Sequence, residues 1–267
     1  MISFVAWFEA LPTALAALSV VGGFVVISIA CALLVRRAVA EHILHEHNEL
    51  TGFIFAVVGV IYAVLLAFVT IGVWERFAEA DARAFHEAAS VTALYRDAAA
   101  LENGAPIRRD LREYTQSIVD RSWPAMAAGR ESRESDDLAE RLAMGVNRYV
   151  PVNAGERDVH AAMEREMSAA MSDREARLSA SATGLNGIMW AVVIIGGWVT
   201  VGFACLFGFR NVGMQAVITG TLAFLVGLVI FLTMSLDFPY RGSVHVSPEA
   251  FQQALREFAV IDAHPNG

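Results

Sequence analysis

Four long uncharged runs set the pattern of this chain. Residues 10–35 lie between Glu9 and Arg36, 51–74 between Glu49 and Glu75, 178–209 between Arg177 and Arg210, and 211–236 between Arg210 and Asp237. Each exceeds the roughly 18–20 residues that a helix needs to cross the hydrocarbon core of a bilayer. The pattern predicts four membrane spans. The second organises the rest. TGFIFAVVGVIYAVLLAFVTIGVW passes into ERFAEADARAFHEAASVTALYRDAAAL with no Gly, Pro or turn signal at the junction. Trp74, Ala78, Phe85, Ala88, Thr92 and Tyr95 recur at three, four or seven residues and mark one face. Glu75, Glu79, Arg83 and Glu87 form an i,i+4 ridge on another. One helix of about fifty residues is expected, leaving the membrane and continuing into water.

Between the second and third spans the pattern changes to amphipathic helices. Ile107, Leu111, Tyr114 and Ile118 form a stripe that Trp123-Pro124 and Gly129 should end. Ser135 reads as the N-cap of a helix carrying Leu138, Leu142, Val146 and Tyr149, closed by Pro151. Asn153, with Glu156 three residues on, resembles a capping box. The helix it starts carries Met163, Met167, Ala170 and Met171, and is expected to feed directly into the third span. Residues 209–213 form a tight turn between the last two spans. After the fourth span, Pro239 and Gly242 signal a turn. Ser247-Pro248-Glu249 reads as a helix start with a Ser N-cap and Pro at the first helical position. Phe251, Leu255 and Phe258 give that helix an apolar face for the membrane surface or the insert. No extended alternating pattern and no internal repeat is visible. The expected class is an all-α integral membrane protein. Residues 1–74 form the first span pair, 75–184 a helical soluble insert, 185–236 the second pair, and 237–267 a turn and amphipathic helix.

Composition agrees with a membrane. Of 267 residues 56% are apolar, and the mean hydropathy is +0.48. The run at 10–35 is not read as a cleavable signal, because no Lys or Arg precedes it and its apolar core is too long. Cys31 and Cys205 both fall inside spans, so they supply no framework for the insert. All twenty basic residues are Arg. A net charge of −8 argues against nucleic acid as a partner. Near the span ends, Arg76, Arg83, Arg174, Arg177, Arg241 and Arg256 lie on the side of the insert, and Arg36, Arg37 and Arg210 on the other. This bias favours a cytoplasmic insert with both termini inside, and a multi-pass protein of a bacterial inner membrane is the expected setting.

Candidate chemistry is sparse. No span interior holds Asp, Glu, Lys, Arg or His, the usual marks of a proton relay or coupled transporter. Small residues recur instead. Ala56, Gly59, Ala63, Ala67 and Thr70 form a stripe on the second span, Gly197, Thr200, Ala204 and Gly208 on the third, and Gly220, Ala223 and Gly227 on the fourth. Such stripes let helices pack closely; the second-span stripe could also line a pore between copies. In the first hairpin His42, His45, Glu46 and Glu49 have a spacing that could hold a transition metal, or form a solvated loop of acid–His pairs. Asp237, with Pro239 and Gly242, could hold a cation at a pore mouth or cap a turn. His86 and His160 are isolated. There is no nucleophile–base constellation, no phosphate-binding Gly loop and no CxxC, so neither an enzyme nor a cofactor is expected.

HNELTGFIFAVVGVIYAVLLAFVTIGVWERF, ALYRDA, REYTQSIVDRSWPAMAAG and LDFPYRGSVHVSPEAF, in this order, resemble the bacterial bestrophin-like membrane proteins of unknown function. The resemblance runs from about residue 46 to 251. It implies likeness to bestrophins, pentameric anion channels with a cytoplasmic helical domain and a Pro-Phe-Gly segment after a late membrane helix. Asp237-Phe-Pro-Tyr-Arg-Gly242 is loosely similar to that segment. Residues 243–246 follow in place of the acidic run of a bestrophin calcium clasp, so the resemblance does not extend to calcium gating. The order of two spans, insert and two spans is also similar to the proton-channel subunits of flagellar stators, which need a partner carrying an intramembrane acid. The leading expectation is a homo-oligomeric passive ion channel in the lipid bilayer. The alternative is a non-catalytic scaffold or signalling protein whose insert docks a cytoplasmic protein partner. A metal-dependent membrane enzyme using the His/Glu hairpin is a third.

Overall fold

The computed structural model describes residues 12–39, 48–209 and 211–264. Among the described residues every regular element is helical. The helices are α1 (Thr13–Ala38), α2 (Asn48–Ala99), α3 (Ala105–Ser117), α4 (Trp123–Ala127), α5 (Arg133–Asn147), α6 (Ala154–Ala182), α7 (Gly187–Cys205), α8 (Val212–Leu236) and α9 (Glu249–Ala263). Four of them, α1, α2, α7 and α8, are long and apolar enough to cross a membrane. The chain divides into two compact units. One holds α1, residues 48–75 of α2, α7 and α8; the other holds residues 76–99 of α2 with α3 to α6 and α9.

In the first unit α1 packs on α7 and α8, and α7 on α8. Phe24, Tyr62, Leu66, Val193, Val201 and Ala223 fill the interior. The small stripes of α7 and α8 permit this packing. A Cβ on Gly227 would stand 3.3 Å from the Val21 Cα, so only hydrogen lets the two backbones approach. The Ser28 and Thr200 hydroxyls bond to carbonyls one turn back, Phe24 at 2.6 Å and Gly196 at 2.8 Å, which meets their needs without water. Asn48 holds Gly208 from both sides, donating to its carbonyl at 3.0 Å and accepting from its N–H at 2.9 Å.

In the second unit the long helix is continuous, as its pattern predicts, but its buried face differs from the expected stripe. Trp74 and Phe85 are exposed, while Ala80, Ala84, Ala88, Val91, Leu94 and Ala98 are buried. Alanines at helical spacing bring neighbouring helices close, and this face is quieter in the sequence than the aromatic one. Glu87, read as part of a polar ridge, is fully buried.

Other boundaries also shift. Trp123-Pro124 does not end the α3 stripe. A π segment, Ile118–Ser122, carries α3 into α4, where Pro124 falls in the first turn and its missing N–H costs nothing. The stop is Gly129, at φ 68°, with Arg130 N–H donating back to Ala125 at 2.8 Å. The N-cap of α5 is Ser132 rather than Ser135, which is buried inside the first turn with its hydroxyl donating to the Ser117 carbonyl. Asn153 caps α6 by accepting from the Glu156 N–H at 2.8 Å. Glu156 completes no capping box. Its carboxylate accepts from the Val152 and Glu102 N–H groups and from the Tyr149 hydroxyl, each at 2.9 Å. Nor does α6 run into α7. Residues 183–186 break the helix, and the Asn186 side chain caps α7 by accepting from the Ile188 N–H at 3.1 Å. Ser247 does not cap α9; Pro248 takes the cap position, and its carbonyl accepts from Phe251 and Gln252 at 3.1 Å. The apolar face of α9 docks within the second unit, burying Phe251, Ala254 and Phe258. Phe258 stacks on Tyr95 with ring centroids 3.9 Å apart.

Candidate functional site

The small face of α2 is open. Ala56, Ala63 and Ala67 are exposed, and Gly59 has nothing within 4 Å of where a Cβ would stand. Thr70, at one end of this stripe, is half-buried. Its hydroxyl bonds back to Leu66 at 2.8 Å and meets the Thr233 hydroxyl at 2.9 Å. What turns this face outward is the adjoining one. Tyr62, Leu66 and Val73 are buried, and the Tyr62 hydroxyl donates to the Val193 carbonyl of α7 at 2.9 Å. The Tyr62 ring lies over Gly196, where any larger residue would collide with it. The rotation of this part of α2 about its axis is thereby fixed, and Ala56, Ala63 and Ala67 are left exposed.

Asp237 ends α8 and is only 5% exposed. Its two oxygens are separately engaged, one by the Leu185 N–H at 2.6 Å and the other by the Trp190 indole N–H at 3.0 Å. The carboxylate thus ties the end of α8 to the start of α7. The Pro239 carbonyl accepts from the Val246 N–H at 2.8 Å, and Gly242 sits at φ 72°, a left-handed turn conformation. Of the hairpin metal candidates, His42, His45 and Glu46 lie outside the described residues, and Glu49 falls in the first turn of α2. Among the described residues no group of three His, Cys, Asp or Glu side chains could hold a metal ion.

Two polar clusters of the second unit escaped the sequence reading. The first is a buried ion pair. Arg177 donates through Nε and Nη2 to the two Glu87 oxygens, at 2.7 and 3.0 Å, with both side chains essentially inaccessible. The Tyr114 hydroxyl adds a 2.7 Å bond to Glu87, Ser122 accepts from Arg177 at 3.2 Å, and the guanidinium lies 5.4 Å from the Trp123 ring. Burial alone would lower the Arg177 pKa, but the Glu87 charge outweighs it and holds the guanidinium cationic. Burial, and then the Glu87 charge, push the Tyr114 phenol well above its usual range. No signal in the sequence separated Glu87 from its solvated neighbours on the same ridge, and Arg177 read as a membrane-flanking cation. The second cluster centres on Asp262, which accepts from Arg108 at 2.9 Å, Arg112 at 2.7 Å and Tyr95 at 2.8 Å. Both clusters lock helices together. Their acids and bases are spent on each other.

A continuous four-span bundle without interior charge, joined to a helical unit by a 52-residue helix, defines a multi-pass all-α membrane protein. Comparison with known proteins narrows this class. The chain belongs to the bestrophin-like family: a model described as the Bestrophin-like domain matches residues 22–251. The fold is that of a crystallised variant of a bacterial bestrophin homologue from Klebsiella pneumoniae, with a TM-score of 0.70 at 11% identity over 91% of this chain and 98% of that one. A second structure of the Klebsiella pneumoniae homologue, phased on zinc, gives 0.66 at 12% identity over 90% and 97%. A crystal structure described only as a membrane protein gives 0.68 at 13% over 90% and 97%. A search of curated proteins finds no match.

Proposed function

We propose that the protein is an oligomeric, passive ion channel of the bacterial inner membrane, with α2 lining a pore between copies. The observation that carries this reading is the open face of Ala56, Gly59, Ala63 and Ala67 on a helix whose other side is anchored by Tyr62. Membership of the bestrophin-like family supports it. Alanine methyls and glycine backbone offer a permeating ion no fixed charge, so such a lumen would conduct when wide enough to wet and close by dewetting when narrow. The lack of ionisable residues in the span interiors favours passive flow over proton-coupled transport. The arginine bias at the span ends favours a cytoplasmic insert.

The test joins the mass of the detergent-solubilised protein to ion flux in liposomes from the same sample. A ring of four or more copies that passes ions supports the proposal, and Ala63→Trp or Ala67→Trp should then suppress flux without lowering the melting temperature. A monomer or dimer in sealed vesicles refutes it. Unchanged flux in both tryptophan variants of a conducting ring would place the pore on another helix.

A further inference from the structure

The two cysteines of this chain meet across two spans. Cys31 lies in α1, seven residues before Ala38 at its end, and Cys205 is the last residue of α7. These helices pack against each other. The Cys205 Sγ lies 3.8 Å from the Ser28 carbonyl, and Ser28 stands one turn before Cys31 on the same face of α1. Both thiols are free; Cys31 is half-buried and Cys205 buried. They lie toward the end of the first unit where Arg36 reaches the Phe209 carbonyl at 2.5 Å. Seven residues of helix put Cys31 roughly 10 Å from the end of α1.

We propose that Cys31 and Cys205 form an intramolecular disulfide that fastens α1 to α7. The oxidant is a disulfide-bearing molecule, a small disulfide or a dithiol–disulfide protein. The more accessible Cys31, as thiolate, attacks one oxidant sulfur and releases the other as a thiol. The Cys205 thiolate then attacks the Cys31 sulfur of the mixed disulfide and releases the second thiol. Two protons leave the protein thiols, two electrons pass to the oxidant, and the new bond is Sγ to Sγ. With the insert in the cytoplasm, as proposed above, this end faces the oxidising periplasm. That placement rests on the proposed orientation; the pairing does not.

The experiment exposes the full-length purified protein in detergent to oxidised glutathione, denatures it, and counts free thiols by maleimide mass-tagging. The wild type is expected to go from two free thiols to none without crosslinking between chains, and dithiothreitol to restore both. Cys31→Ser and Cys205→Ser should each stop at a mixed disulfide. Free thiols that persist although maleimide labels Cys31 in the folded protein would overturn the pairing, as would bonds between chains. Alkylating intact cells before lysis separates the two readings. A bond already present supports both the pairing and the orientation. Thiols found free and alkylated in cells, when a separate unalkylated preparation closes in detergent, keep the pairing and refute the orientation.

Discussion

Gly196→Ala is the sharpest probe of how α2 is held. A Cβ at this position would stand 2.5 Å from Tyr62 Cδ2 and 2.6 Å from Cε2, where ordinary contact begins near 3.4 Å. The methyl group therefore demands a shift of about 1 Å in a packed interior. The ring has little freedom to give way, because its hydroxyl is bonded to the Val193 carbonyl at 2.9 Å on the same helix as Gly196. Either α2 moves away from α7 or the hydrogen bond breaks. Overpacking of this kind costs about 1–3 kcal/mol, and for a chain of this size that is about 3–10 °C in melting temperature. The assay is thermal denaturation in detergent, run as a double-mutant cycle with Tyr62→Leu. The leucine has no ring over Gly196, so in that background Gly196→Ala should cost less than about 0.5 kcal/mol, a coupling of at least about 0.5 kcal/mol. If α2 lines a pore, flux should change in Gly196→Ala and return toward its starting value in the double variant. A Gly196→Ala protein that melts with the wild type, together with strict additivity, would refute the reasoning. The close approach of α2 and α7 would then not hold in the membrane.

Three further outcomes are expected. Glu87→Gln or Arg177→Met should each destabilise the protein by about 3–5 kcal/mol, because each leaves an unpaired buried charge; Glu87→Leu with Arg177→Met should lose much less, and chemical denaturation of the full chain reads the difference. Asp237→Ala should lower the melting temperature by leaving the Leu185 and Trp190 N–H groups without an acceptor, a cost of about 1–3 kcal/mol, and should change Trp190 fluorescence; a purely cation-binding role would change flux with no thermal effect. For Asp262, burial raises the pKa but hydrogen bonds from Tyr95 and Arg112 outweigh it, and Glu156 is lowered first by the Val152 and Glu102 N–H groups. Both carboxylates are depressed in the folded state, so their contribution is complete above the unfolded value of about 4 and is lost as pH falls below it. Melting temperature against pH should show this loss, and Asp262→Asn should be destabilised at neutral pH but converge with the wild type in acid.

The architecture was legible because its signals are long. Four uncharged runs and an unbroken helical period through Thr51–Leu101 need no tertiary information, and the α2 stripe of Ala56, Ala63 and Ala67 was visible from spacing alone. What failed were local signals that compete with one another. Ser135 and Ser132 are both good caps by type, and only packing decides that Ser135 goes inside. Pro124 looks like a stop, yet a π segment places it where proline is harmless. The most consequential miss was Glu87. An i,i+4 ridge of acids and an arginine reads as solvated, and nothing within it shows that one member turns inward to meet Arg177, 90 residues away. Burial of that pair is decided by how α2 and α6 pack. The sequence records no pairing between distant helices.

The same packing bears on whether one copy could conduct alone. Phe24, Tyr62, Leu66, Val193, Val201 and Ala223 occupy the interior of the membrane unit, and the Ser28 and Thr200 hydroxyls are turned onto carbonyls of their own helices. An ion entering there would have to displace close-packed side chains and shed its water among mainly apolar groups, at a cost no dispersion contact offsets. A path for ions therefore needs a surface that the single chain leaves open. On α2 that surface is the alanine face; the exposed Phe53, Val60 and Phe68 lie beside it and suit lipid or a neighbouring subunit. Oligomerisation thus follows from the conduction reading as a requirement. Flux through a preparation fixed as monomers, for instance at very high lipid-to-protein ratio with single-chain mass confirmed by photobleaching, would break that requirement and the assignment of α2 along with it.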